Sequence, residues 1–353
     1  MNDVEKIYKD IKKQKNLKPI AESFDSNSPI EVLVFCYAYN HDKYISECIE
    51  GMLKQLVDFN VKIIIHNDNS NDKTREIIES YQNKYKNVIF VVNQTQNLYI
   101  KEHGLLPIFS FLRKYHQGKY IAMCEGDDYW DNPLKLKTQV ELLKRNKDCH
   151  FCVHKVNVLN NNNHKIVRAI PADSFKLKSC VLNEKSFIKL TSIRYPFQTS
   201  SYMVRTDDFS NYLDNLPEFA KIMPTEDESL LLYFGQLGKT IYIDKPFSCY
   251  RKFSEGSWSN EHKNNDKKQN IDRLDKMIKA INSFNVYTFK KFDDQCAYRM
   301  NKHKLRILLI ENKYDEIFCD KQLKKFFRKQ YPKDYFLLAI KRCFKYLFGG
   351  KND

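Results

Sequence analysis

The sequence contains nothing close to the roughly 18 consecutive apolar residues that mark a membrane-spanning helix. Its opening, MNDVEKIYKDIKKQ, lacks the apolar core of a signal peptide. There is no internal repeat and no long low-complexity tract, which excludes solenoid and linker-type chains. No regular cysteine framework stands out either. The ten cysteines (36, 48, 124, 149, 152, 180, 249, 296, 319, 343) are scattered, many inside apolar runs. Small core thiols in a reduced, cytosolic protein are the expectation. Cys149-His150-Phe151-Cys152-Val153-His154 has no second ligand pair at zinc spacing. Its alternation through Phe151, Val153 and Val156 suits a strand.

What is present is apolar and basic. A chain of 353 residues with 42% hydrophobic and 14% aromatic residues can bury one large core with an appendage, or two cores. A formal charge of +15 favours polyanionic partners: nucleic acid, anionic lipid or a phosphate-bearing small molecule.

Residues 1–28 are polar and charged and read as an N-terminal helical arm, with a loose linker at Ser23–Pro29. A regular alternation then begins. EVLVFCYAY is a strand, and Lys43–Leu56 is helical, with Ile45, Ile49, Met52, Leu53 and Leu56 at 3–4 spacing. VKIIIH (61–66), NVIFVV (87–92) and KYIAMC (119–124) are further strands. Helices follow them: one capped by Asp72 and running to about Tyr85, one over His103–Tyr115, and one after Pro133 capped by Asp131 or Asn132. Unbroken apolar strands alternating with helices predict an α/β fold with a mostly parallel sheet covered on both faces. Ligands in such sheets bind beyond the carboxyl ends of the strands. That directs attention to YAYN, HNDNSND and EGDD. Beyond Pro133 the pattern is mixed, with strands near 150–158, 200–204 and 240–250 and a helix near 226–236. From about 261 it is helical.

Glu125-Gly126-Asp127-Asp128 sets three carboxylates within four residues at the end of a strand. They repel one another unless a cation neutralises them. Mg²⁺ or Mn²⁺ takes one or two protein carboxylates and completes its shell with substrate phosphates. An acidic loop capping the next helix is the other reading of these residues alone.

The surroundings resemble family 2 glycosyltransferases, which have the GT-A fold. KYIAMCEGDDYWDNPLKLKTQVELL resembles the segment with their acidic DxD signature. VLVFCYAYNHDKYISECIEGMLKQ is similar to their first strand, turn and helix, and KIIIHNDNSNDKTREII to their second strand and nucleotide loop. TSSYMVR (199–205) resembles their acceptor-side strand, and TEDESLLLYFGQLGKTIYIDKPFSCYR the block carrying the catalytic base. The five blocks stand in the family's order and cover roughly residues 30–259.

The resemblance implies a GT-A glycosyltransferase domain over 29–260 and a helical, basic C-terminal region over 261–353. It implies an inverting transfer from a UDP-sugar to an acceptor hydroxyl, with Mn²⁺ or Mg²⁺, in a bacterial surface polysaccharide or related glycan. Tyr39 would stack on uracil and Asp68 would accept its N3–H, unless Asp68 is a turn-forming residue. Glu125 and Asp127 would face the ribose and metal. Asp127 is the first choice of metal ligand, and Asp128 either supports the metal or caps the turn. Lys101 would reach the diphosphate, or is one solvated lysine among many. Asp227 would be the base, with Glu226 the second choice; acids at a helix N-terminus are also explained by the dipole. Trp258 would stack on an acceptor sugar or belong to the core.

Some positions depart from the family pattern. Asn67 and Asn69 stand where the nucleotide loop usually has Asp and Gly, and Glu125 where the acidic motif begins with Asp. Lys252-Phe253 fill the place of a frequent His.

Residues 321–353 carry ten Lys or Arg against two acids. Within DYFLLAIKRCFKYLF, Lys341, Arg342 and Lys345 share one helix side, with Phe336, Leu337, Ile340, Phe344, Leu347 and Phe348 covering much of the rest. This suits an interfacial helix on the inner face of the cell membrane, where a lipid-linked saccharide acceptor would be presented; packing on its own domain or on a partner subunit is the other use of such a helix. Among rival functions, a nucleotidyltransferase would ordinarily have an early glycine-rich phosphate loop, where this chain has YAYNHDK. A nucleic-acid-binding protein would explain the charge but not the clustered carboxylates, so no nucleic-acid partner is expected.

Overall fold

The computed structural model describes residues 3–99, 118–193, 196–254 and 266–348. The chain forms two compact units, Met1–Pro217 with Thr225–Asn264, and Glu218–Pro224 with Asn265–Asp353.

The first unit is built on strands β1 (Lys18–Pro19), β2 (Ile30–Ala38), β3 (Leu56–Val57), β4 (Asn60–Asn67), β5 (Ile89–Asn93), β6 (Tyr120–Glu125), β7 (Tyr129–Trp130), β8 (Cys149–Asn160), β9 (Lys165–Ile170), β10 (Cys180–Leu182), β11 (Met203–Arg205) and β12 (Lys239–Lys252). Ten of these form one sheet in the order β10-β12-β8-β11-β6-β2-β4-β5, with β7 on β12 and β9 on β8. The stretch β6-β2-β4-β5 is parallel, as the alternation predicts. β11 enters antiparallel between β6 and β8, so the other half is mixed. Nearly every side chain of β2 and β4 is buried, because helices cover both faces of the parallel half.

Several boundaries differ from expectation. The helix after β2 spans Ile45–Leu53, and the chain beyond it turns into β3, which pairs with β1. Residues 3–28 are not a detached arm. The helix Asp3–Ile11 sends Val4, Ile7 and Ile11 into the same core as β2 and β4. The stretch expected as a loose linker is tied down by Asn60, whose amide donates to the carbonyls of Asp25 and Ser28 (2.6 and 2.7 Å). A polar, charged composition concealed this because only one narrow stripe of the helix is apolar. The helix expected over His103–Tyr115 lies outside the described residues.

The second unit is helical, with Lys267–Tyr287, Asp293–Ile310, Tyr314–Cys319, Lys321–Gln330 and Pro332–Phe348. Glu218–Ile222 joins it through Phe219, which packs edge-on against Phe284 at 5.2 Å. No local signal marks that excursion, because a five-residue helix buries only Phe219 and Ala220. Among the described residues no helix is long and apolar enough to cross a membrane.

Candidate active site

β2, β4 and β6 end side by side, and the loops leaving them are cross-linked by polar groups. Asn40 takes the left-handed conformation (φ 55°) and donates its N–H to Ser70 Oγ at 3.0 Å. Asn40 Oδ1 accepts from the Asn71 N–H at 2.9 Å. The His41 N–H reaches Thr74 Oγ1 (2.8 Å), and Asp72 Oδ2 accepts from the Asp42 N–H (3.0 Å). Asp72 also takes the Thr74 N–H (2.9 Å), bridging two loops; the N-cap of the helix Thr74–Lys84 is Lys73, so Asp72 stands one residue ahead of its expected capping place. Asn69, in place of the usual glycine, is left-handed (φ 61°), a conformation asparagine tolerates. Asn67 accepts from Ser70 and donates to Asn93, tying the β4 loop to β5.

Asp68 is fully buried. Its two carboxylate oxygens accept the backbone N–H groups of Leu98 and Tyr99 at 2.7 and 2.9 Å. The side chain expected to read a base thus also orders the segment after β5. Each oxygen keeps a second lone pair. Tyr39 is half-buried in the loop after β2. The neighbouring Tyr37 is the ring that stacks in this structure, against His66 at 6.3 Å and 17°. Burial lowers the His66 imidazole to about 4.

The acidic loop is held from two sides. The Gly126 N–H donates to the Tyr37 carbonyl at 2.8 Å. The approach is so close that a Cβ at Gly126 would stand 2.7 Å from His41 Nδ1 and 3.0 Å from Ile45 Cδ1. Gly126→Ala is therefore expected to destabilise the protein by about 1–3 kcal/mol, the range for overpacking a tight site, read in chemical unfolding. From the other side comes Arg251, at the end of β12. Its backbone N–H donates to Asp128 Oδ1 (2.9 Å) and its Nη1 to the Asp127 carbonyl (3.0 Å). Its Nη2 pairs with Glu47. The guanidinium lies over Tyr129 and Tyr44, 4.6 and 5.3 Å from the ring centres. Ser254 Oγ donates to Asp127 Oδ2 at 2.6 Å.

Electrostatically the cluster is under tension. Burial, then the charges of Asp127 and Asp227, push the Glu125 carboxyl up to about 8. Burial, then Asp127 and Glu125, push Asp128 well above the usual carboxylate range, and Asp128 Oδ2 is buried without a hydrogen-bond partner. The Asp227 charge, in the first turn of the helix Glu226–Leu237, thus acts on Glu125 although about 100 residues separate them in sequence. Asp227 Oδ1 accepts the Glu228 N–H at 2.8 Å. Glu226 is buried.

Among the described residues no three His, Cys, Asp or Glu side chains converge into a closed metal cage. The residues present do fit an open site for a hard divalent ion. Such an ion needs one or two carboxylates and takes its other ligands from phosphate and water. The unpartnered oxygen of Asp128, beside Asp127, is the kind of donor it would satisfy. The Cys149–His154 segment lies within β8, where His150 pairs with Asp208 at 2.8 Å and His154 Nδ1 lies 2.7 Å from the Lys155 carbonyl.

The raised carboxyls give a pH dependence of defined sign. Between about 4.5, the ordinary value of a glutamate, and about 8, folded Glu125 holds a proton that the unfolded chain releases. The contribution of Glu125 to stability without metal therefore falls as pH rises through this window, opposite in sign to that of the buried neutral histidines. In EDTA, the Tm of the wild type minus that of Glu125→Gln is expected to be larger at pH 5.5 than at pH 8, and Mn²⁺ should raise the wild-type Tm at pH 8.

Sequence reasoning missed Arg251 as the clamp, along with Ser254, His41 and Tyr37. Arg251 had a signal in the Tyr-Arg that ends the last block of resemblance; Ser254 had none. Lys101 and Trp258 lie outside the described residues.

Solved structures share this fold. TarS from S. aureus in complex with UDP-GlcNAc superposes with a TM-score of 0.58 at 21% identity, over 78% of this chain and 72% of that one. The mannosyltransferase PcManGT from Pyrobaculum calidifontis, in complex with GDP-Man and Mn²⁺, gives 0.53 at 12% identity, over 99% and 94%. The fold is that of the GT-A glycosyltransferases.

Residues 34–199 match the family described as glycosyl transferase family 2. An uncharacterized protein of Mycobacterium tuberculosis is 30% identical over 222 residues, 63% of this chain. The match spans 58% of that relative's length.

Proposed function

We propose that this protein is an inverting glycosyltransferase that moves a sugar from a UDP-sugar to an acceptor hydroxyl with a divalent ion, Mn²⁺ or Mg²⁺. The observation that carries the reading is the carboxylate group Glu125-Asp127-Asp128 at the end of β6, with Asp127 and Asp128 buried and held by Arg251, and with the Asp227 charge acting on Glu125. The UDP-GlcNAc complex of TarS and the Mn²⁺ complex of PcManGT support the donor class and the metal.

Asp127 and Asp128 would hold the ion, and Glu125 the ribose or the ion. When bound, the ion neutralises charge developing on the leaving diphosphate. Arg251 and Ser254 keep Asp127 and Asp128 in place before substrate arrives, so little reorganisation is left to the reaction. The rings of Tyr39 and Tyr37 would flank the uracil, and Asp68 would accept its N3–H. Lys101 would contact the diphosphate. Asp227 would take the acceptor proton as the hydroxyl attacks the anomeric carbon from the face opposite the diphosphate, which inverts the centre. Glu226, buried in the first turn, is the lesser candidate for that role.

The acceptor we favour is a saccharide or lipid-linked saccharide of a bacterial surface polysaccharide. The protein would act in the cytoplasm and peripherally on the inner membrane face. The basic segment after 321 and the exposed Phe336, Leu337 and Ile340 favour that placement.

The test is a UDP-sugar panel, following UDP release with and without Mn²⁺, with the anomer of the product assigned by NMR. Turnover of one or more UDP-sugars only with metal supports the reading. Metal-independent turnover, or a retained anomeric configuration, overturns it.

A further inference from the structure

In the helical unit, His303 is only 6% exposed, yet neither ring nitrogen has a hydrogen-bond partner. Leaving such donors and acceptors unmade in the interior is costly. The charges that bear on it most are positive: Arg299, Lys302 and Arg306 from its own helix, Asp293–Ile310, and Arg273 from the helix Lys267–Tyr287. Positions 299, 302, 303 and 306 recur at three- and four-residue spacing and so share one side of the helix. Burial, then these cations, lower the imidazole to about 3, which leaves it neutral.

Two of the same cations, Lys302 and Arg306, also line a cavity of about 570 Å³. That volume is in the usual range for small-molecule sites, about 300–1,000 Å³. Its walls are apolar, including Leu305, Leu309, Phe327 and Leu338. Among the described residues Asp334 is the one carboxylate in the lining, and it offsets part of the charge. Leu337 belongs both to the cavity and to the exposed apolar stripe Phe336, Leu337 and Ile340 of the helix Pro332–Phe348. Cations at one wall, an apolar interior and an apolar path outward suit a ligand with an anionic head and a hydrocarbon tail.

We propose that this cavity binds a lipid phosphate, with the phosphate on Lys302 and Arg306 and the chain along Leu305, Leu309, Phe327 and Leu338. A flat polyanion would use the cations but not the apolar interior. Serving as the carrier of a lipid-linked acceptor rests on the transferase reading above; the binding itself does not.

The probe is dodecyl phosphate below its micelle concentration, titrated calorimetrically into the full chain. It should bind saturably, one per chain. Inorganic phosphate and the neutral dodecyl maltoside should each bind at least about 10-fold more weakly, since each lacks one of the two contacts. The double variant Lys302→Glu/Arg306→Glu and the cavity-filling Leu309→Trp should each weaken dodecyl phosphate by about 10-fold or more. Both should keep their circular dichroism and their binding of UDP with Mn²⁺. Equal binding of inorganic phosphate or of the maltoside overturns the proposal, and that comparison needs no variant. Folded variants with unchanged affinity overturn it as well. A chain that binds UDP but not dodecyl phosphate refutes the lipid site alone. One that binds dodecyl phosphate but not UDP supports it and tells against the donor reading.

Discussion

Asp127→Asn is expected to lower metal-dependent turnover of the UDP-sugar by about 100-fold or more, the usual scale for losing one group that stabilises transition-state charge. It should do so without unfolding the protein. Asparagine keeps an oxygen for the Ser254 hydroxyl, and the Arg251 Nη1 bond goes to the backbone carbonyl of residue 127, which the change leaves in place. Removing one of three crowded charges also relieves Glu125 and Asp128, whose carboxyls the Asp127 charge pushes up. The metal-free Tm should therefore stay level or rise while the Mn²⁺ dependence of UDP binding is lost. Calorimetric titration of UDP with Mn²⁺ and with EDTA checks both halves. Wild-type metal dependence in the variant would remove Asp127 from the proposed ligand set.

The second large effect is expected at Asp227. A positioned general base contributes about 10²–10⁴ in rate, so Asp227→Asn should reduce kcat by that factor. Donor binding should change little, within about twofold, because the base acts on the acceptor. The amide oxygen of asparagine can still accept the Glu228 N–H, so the helix start should persist. Single-turnover transfer with saturating UDP-sugar and acceptor, beside a direct titration of the donor, separates the two quantities. If Glu226→Gln gives the rate loss and Asp227→Asn does not, the base is Glu226 and the proposed assignment fails.

These expectations draw on information of unequal kinds. The parallel half of the sheet was legible because β2 and β4 are continuous apolar runs and the intervening helices carry 3–4 spacing. The three loops at its ligand edge were legible for the same reason, since the ends of parallel strands face one way. The acidic turn was visible as a local excess of charge. β11 was visible as a strand near 200–204, but its antiparallel place between β6 and β8 was not, because a three-residue strand has too little pattern to show its direction. The N-terminal helix was read as an appendage because its core contacts rest on three apolar side chains among charged ones.

The sequence by itself determined the order of elements, the loops that meet beyond β2, β4 and β6, and the concentration of carboxylate at 125–128. Each is written in residues close together along the chain. Only the tertiary structure decided what holds those carboxylates. Arg251 lies more than 120 residues from Asp128, and its cation, its backbone N–H and the two rings around it meet the acidic turn only through the register of β12. The same is true of Asp68, whose oxygens are engaged by amides 30 and 31 residues away. Hydrogen bonds and unscreened charges act over a few ångströms of space whatever the separation in sequence, so their partners emerge only when the chain is folded.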